Sequence, residues 1–222
     1  MKQYAESVVE SVHNLWCQHR AEYSAGYAVF YGSVSHRPGL MLIGMNPGGD
    51  ATCFSGEKER ISPPSAPMEY IAYRNDNTYK IAVRTTSLFE SIGYLKLLQE
   101  SVKTNLNFFR SRKWEDLPQQ RSEECKRIVV DMIERLEPRV ILCESVAVFD
   151  TIHTLLSKTN TIPLRHVELN NMGRRIYLSA VNPGNKIRTV IGITHLTGSR
   201  PSTKSVTRVA ELLKNELREV DT

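Results

Sequence analysis

Three polar side chains stand where apolar stretches give out: Asn46 after LMLIG, Asn105 within TNLNFF and His195 after TVIGIT. An amide offers a donor and an acceptor side by side, and an imidazole does either job. Two amides and an imidazole on one rim could therefore read a heterocyclic base. Asn46 belongs to GMNPGGD (44–50), which is first of all a turn, since Pro fixes φ and Gly accepts positive φ. Its Gly-Gly pair offers the alternative of cradling a phosphate with backbone N–H groups. The Lys-Ser/Thr of a P-loop and the GxGxxG spacing of a dinucleotide site are both missing, which argues against nucleoside triphosphate chemistry. Taken singly, Asn105 reads as an amide capping a strand end and His195 as a half-buried histidine satisfied by backbone.

To act together these residues need a scaffold that brings strand ends to one side. LMLIGM (40–45), VILCE (140–144) and TVIGITH (189–195) are short apolar runs and read as buried strands, and TNLNFF (104–109) alternates like a strand. Helices are predicted over 3–20, with Val8, Val9, Val12 and Leu15 on one stripe, and over roughly 79–100 and 145–157. In QQRSEECKRIVVDMIERLEP, Val129, Met132, Ile133 and Leu136 fall at helical spacing, and Pro138 stops the run. The tail SVTRVAELLKNEL is the last predicted helix, and LRHVEL and RRIYLSAV either pair as a hairpin or join different parts of the sheet. Residues 49–78 are rich in Gly, Ser, Pro, Asp and Asn and form a long loop, the kind that compact domains reserve for function or leave disordered. Strands alternating with helices predict a single α/β domain over 1–222, with a mainly parallel sheet covered on both faces. In such sheets ligands bind at the carboxyl ends of the strands, where all three polar residues stand.

Composition narrows the class. With 222 residues, 41% hydrophobic and 24% charged, the chain can bury a full core. No apolar run approaches the ~20 residues of a membrane helix, and the first residues lack the apolar core of a secretory signal, so a cytoplasmic protein is expected. Cys17, Cys53, Cys125 and Cys143 contain no CxxC pair, which suggests free or buried thiols rather than a metal site or disulfides. The net charge of +5 favours a polyanionic partner, and basic residues gather at 110–113, 174–175, 185–188 and 199–204.

GMNPG after a buried strand, TN followed by apolar and aromatic residues, and HLTGS at the end of a late strand, taken in that order, resemble the uracil-DNA glycosylase superfamily. The first motif is spelled as in the single-strand-selective monofunctional branch and is close to the GINPG of mismatch-specific glycosylases. VILCESVAVFDTIHTLL is similar to that family's strand–helix unit, and the likeness spans roughly residues 38–215. Two departures stand out. Leu196 occupies a place where the family commonly has Pro, in HPSP or HPSG, and the four cysteines do not reproduce the iron–sulfur arrangement of some members.

The resemblance implies a three-layer α/β/α fold and hydrolysis of an N-glycosidic bond in DNA, with no metal or organic cofactor and a monomer as the expected state. Asn46 would hold the attacking water and His195 would stabilise the departing base. Gly44, Met45, Gly48, Phe54 and Asn105 would line the base pocket. Phe54 is a stacking candidate, with a core-anchoring role as its alternative; Asp50 or Glu57 is a minor candidate for assisting the water. Strict uracil enzymes carry Tyr where Gly48 stands, so glycine leaves room for a 5-substituted pyrimidine. Arg110, Arg112, Lys113, Ser199, Arg200 and Lys204 are the candidate DNA contacts, with Ser199 or Arg200 at the loop tip that enters the duplex. A catalytically silent DNA-binding member of the fold and a nucleoside- or nucleotide-binding hydrolase are the alternatives.

Overall fold

The computed structural model describes residues 1–21, 26–48, 67–111, 119–157, 162–181, 189–197 and 203–221. Six strands form one sheet: β1 (Leu40–Gly44), β2 (Val102–Asn105), β3 (Val140–Cys143), β4 (Leu164–Leu169), β5 (Arg175–Val181) and β6 (Thr189–Ile193), in the order β2-β1-β3-β6-β5-β4. The β1–β2, β1–β3 and β3–β6 pairs are parallel, and β5 and β4 add antiparallel strands at one side. The expected α/β architecture is present, with a mixed sheet. LRHVEL and RRIYLSAV resolve their ambiguity by pairing as a hairpin.

Strand side chains alternate between the faces, and the two cores follow that alternation. Met41 and Ile43 of β1 face α1 (Lys2–Gln18), α5 (Gln119–Leu136) and α6 (Val146–Leu156). Leu40 and Leu42 face α2 (Glu69–Ala72), α3 (Lys80–Ile92), α4 (Leu95–Gln99) and α7 (Thr203–Asp221). The result is helix, sheet, helix. The predicted stripe of α5 is fully buried, with Val129, Met132, Ile133 and Leu136 all at 0% exposure. At about 1.5–3 kcal/mol for each such side chain, this packing outweighs any intrinsic helix preference of the segment.

Three expected boundaries shift. The segment 79–100 is two helices, because Gly93 caps α3 in the left-handed region (φ 84°) and the chain restarts as α4. β2 ends at Asn105 instead of running from 104 to 109. Beyond it, Leu106 and Asn107 donate backbone N–H bonds to Gly44 and Met45, so the chain still follows β1 without forming a regular strand. Finally, α2 occupies part of the segment 49–78 that composition marks as loop.

The outer edge of β2 is covered. Tyr27, Ala28, Val29, Phe30 and Tyr31 are all buried, and Ala28 and Tyr31 donate backbone N–H bonds to Phe108 and Lys103. Among the described residues, no helix is long and apolar enough to cross a membrane.

Candidate active site

The four parallel strands all point one way, so their carboxyl ends form a single rim. Register fixes the order: Gly44 of β1 lies beside Asn105 of β2, and Ile43 beside Cys143 of β3, which lies beside Gly192 of β6. A cleft of about 770 Å³ opens on this rim. It is lined by Asn46, Asn105 and His195, by Gly44, Met45 and Gly48, and by Arg110. Tyr31, Tyr70, Tyr73 and Tyr79 also line it. Residues from distant parts of the sequence thus meet in one cavity.

Asn46 is held by its amide nitrogen. Nδ2 donates to the carbonyl oxygens of Pro47 (3.1 Å) and Ser111 (3.2 Å) and to Ser111 Oγ (3.1 Å). Only the NH2 end of an amide can serve carbonyl acceptors, so its surroundings fix which way the group is turned. Among the described residues Oδ1 accepts no hydrogen bond, and it is left as the side chain's open acceptor. The turn chemistry of Asn-Pro-Gly and the presentation of an amide oxygen are therefore served by the same residues.

Asn105 is buried at 3% exposure and donates from Nδ2 to Tyr31 Oη at 2.7 Å. Its Oδ1 packs on Gly44, where an added Cβ would overlap it and would also sit 2.9 Å from Glu144 Oε2. Only glycine leaves both side chains where they are. Gly48, by contrast, has nothing within 4 Å of where a Cβ would stand.

His195 is exposed at the far end of the rim. The backbone N–H of Thr197 donates to its Nδ1 at 3.4 Å, and Thr197 Oγ1 lies 3.0 Å from the same nitrogen. A ring nitrogen that accepts leaves the proton of a neutral imidazole on the other, so Nε2–H is the donor. Leu196 is 4% exposed and packs in the core beside α7, while its carbonyl accepts from Arg84. The leucine anchors the loop by burial.

Sequence reasoning missed the charged floor. Lys103 of β2 is 4% exposed, and its Nζ lies 4.0 Å from the ring centre of Tyr31 and 4.7 Å from that of Tyr70. Glu144, directly after β3, places Oε2 3.9 Å from Lys103 Nζ and accepts a 2.6 Å hydrogen bond from Tyr70 Oη on Oε1. Burial, reinforced by the Glu144 carboxylate, raises the Tyr70 phenol well above its ordinary 10.0, so it stays a neutral donor. Tyr79 donates to Glu69 Oε2 at 2.9 Å, and burial and Glu69 raise its phenol as well. The available signals were a lysine inside a buried strand and a carboxylate closing an apolar one.

Arg110 turns inward. It is 5% exposed, and Nη1 reaches the Gly48 carbonyl at 3.4 Å, so it forms cleft wall instead of outer surface. Lys204 is exposed in the first turn of α7 and lines no part of the cleft. Phe54, Arg112, Lys113, Ser199 and Arg200, with Asp50 and Glu57, lie outside the described residues. Among the described residues no group of three or more His, Cys, Asp or Glu could hold a metal ion. The chain matches no protein-family model, and the comparison with curated proteins found no match.

Proposed function

We propose that this protein is a monofunctional DNA glycosylase, acting in the cytoplasm as a monomer without metal or organic cofactor. It would hydrolyse the N-glycosidic bond of a flipped-out uracil or 5-substituted pyrimidine and leave an abasic site. The observation that carries the proposal is the meeting of Asn46, Asn105 and His195 in one cleft at the carboxyl rim of a parallel sheet. The motif order resembling uracil-DNA glycosylases adds to it, and either genome repair or attack on modified foreign DNA would use this chemistry.

A base must leave the stack before its glycosidic bond can be reached, and a cleft of this size accepts one. The transition state has an oxocarbenium-like sugar, with negative charge collecting on the base. Asn46, turned by its three Nδ2 bonds, offers Oδ1 to orient water below the sugar. An amide is too weak a base to take the proton early, so its contribution is placement. Asn105 gives one Nδ2–H to Tyr31, leaving its second N–H and its Oδ1 to meet the edge of the base. His195, with Nδ1 occupied by Thr197, offers Nε2–H to the base as charge develops. Open space at Gly48 accommodates a substituent at pyrimidine C5.

The test is a cleavage panel. Oligonucleotides carrying uracil, hypoxanthine, 5-hydroxymethylcytosine or glucosylated cytosine are incubated with wild type or Asn46→Ala and treated with alkali. Strand breaks at one base, lost in Asn46→Ala, are the expected result. No breaks on any substrate, with DNA still bound, would replace the proposal with a silent DNA-binding protein. Activity on free nucleosides alone would assign the cleft to a nucleoside hydrolase.

A further inference from the structure

Lys103 and Glu144 form an ion pair that is poorly built for stability. Buried pairs offset their desolvation only with tight geometry and full hydrogen bonding. Here the charged atoms stand 3.9 Å apart, beyond hydrogen-bond distance. Among the described residues Lys103 Nζ has no hydrogen-bond acceptor; its contacts are two tyrosine faces and the distant carboxylate. The rings of Tyr31 and Tyr70 hold the cation without using its N–H bonds. Glu144, tethered by Tyr70 Oη, keeps the ammonium in place without capping it. Three N–H donors on a nearly buried cation, in a cleft also lined by Asn46 and Asn105, call for an acceptor from a ligand.

Resting on the base-excision reading of this cleft, we propose that Lys103 is a further catalytic residue: its Nζ–H donates to a carbonyl oxygen of the extruded pyrimidine and holds the charge that collects there. When the C1′–N1 bond breaks, its electron pair stays with the base and delocalises onto that oxygen. The water oxygen bonds to C1′, one water hydrogen remains on the new hydroxyl, and the other leaves as a proton that ends on the base. Lys103 gives up no proton in this sequence. It acts from inside the cleft, where fixed charges act most strongly, whereas His195 acts from the exposed rim. Glu144 and Tyr70 are positioning residues for the ammonium.

The experiment compares single-turnover excision of uracil and of 5-fluorouracil from otherwise identical oligonucleotides by full-length wild type, Lys103→Met and Lys103→Arg. Fluorine makes the departing base a weaker base and a better leaving group, so it depends less on an outside charge. Lys103→Met should slow uracil release about a hundredfold, the scale of one lost oxyanion donor, and slow 5-fluorouracil release distinctly less. Lys103→Arg should restore most of the rate. Equal slowing of both substrates, or no slowing, overturns the role of Lys103 while leaving the glycosylase reading intact. If wild type excises neither base, the cleavage panel on the other modified bases decides the glycosylase reading, and calorimetry with barbiturate, a pyrimidine anion at neutral pH, decides the role of Lys103. Barbiturate bound by wild type and Lys103→Arg but lost in Lys103→Met sustains Lys103 as the anion-holding group; equal binding by all three proteins, or none, rejects it.

Discussion

Gly44 packs so closely on Asn105 that a methyl group on Gly44 would overlap the Asn105 side-chain oxygen. The two residues are register partners on neighbouring parallel strands, so neither backbone can retreat without opening the sheet. Gly44→Ala should therefore push Asn105 off Tyr31 and strain the Glu144 carboxylate. A loss of about 1–3 kcal/mol, as for other overpacked sites, is expected in denaturant melts. Base excision should fall further than that loss explains at temperatures where the variant stays folded.

Asn46→Asp keeps the size of the side chain and reverses its polarity. A carboxylate would turn oxygen toward the Pro47 and Ser111 carbonyls, which now accept from Nδ2. Thermal unfolding at neutral pH should show Asn46→Asp less stable than Asn46→Ala, by about 1–3 kcal/mol, because both lose the donor but only Asp sets a carboxylate against the carbonyl oxygens. Equal stability of the two variants would mean that the amide's orientation is not set by these bonds.

Gly48→Tyr should fold normally, because the new side chain begins in open space. Under the glycosylase proposal, in which this position matches the tyrosine of strict uracil enzymes, it should exclude pyrimidines substituted at C5 and spare uracil. The ratio of excision rates on uracil and on a 5-substituted base measures this. An unchanged ratio would place the C5 side of the base elsewhere in the cleft.

Alkali should weaken the fold through its buried phenols. Unfolded, Tyr70 ionises near 10.0; folded, burial and Glu144 push that ionisation higher. The native state thus holds a proton that the unfolded chain releases, so the stability gained is complete below about pH 10 and is lost as pH rises beyond it. Tyr79, raised by burial and Glu69, acts in the same direction. Denaturant midpoints should fall from about pH 10 upward, and Tyr70→Phe should flatten the fall. At neutral pH the same change leaves Glu144 Oε1 without its donor, at a cost of about 1–3 kcal/mol.

Asn46 and His195 were legible because each follows an apolar run, and Asn105 because it stands in a strand-like segment; a parallel sheet sends such strand ends to one side. Gly44 was legible only as part of a motif; its reason is a clash with one side chain on β2 and another just after β3. Lys103 sits in a strand that is buried throughout, and nothing local announces that two tyrosines from elsewhere will sandwich it. Tyr31 and Tyr70 belong to segments with no period that marks them as cleft wall. Arg110 shows the limit of charge clustering: it adjoins other basic residues in sequence, yet its own side chain is folded inward. Local pattern carried the framework, and long-range packing decided the floor of the site.

β6 lies between β3 and β5, although it is the last strand to be made. A nascent chain on the ribosome therefore carries β2-β1-β3 and the β4–β5 hairpin as two pieces, with no strand to join them. His195 arrives with that joining strand, and the cleft acquires its final wall only then. The activity proposed for this cleft would in this way be withheld throughout the protein's own synthesis, and a message broken before the codons for β6 would yield no active fragment.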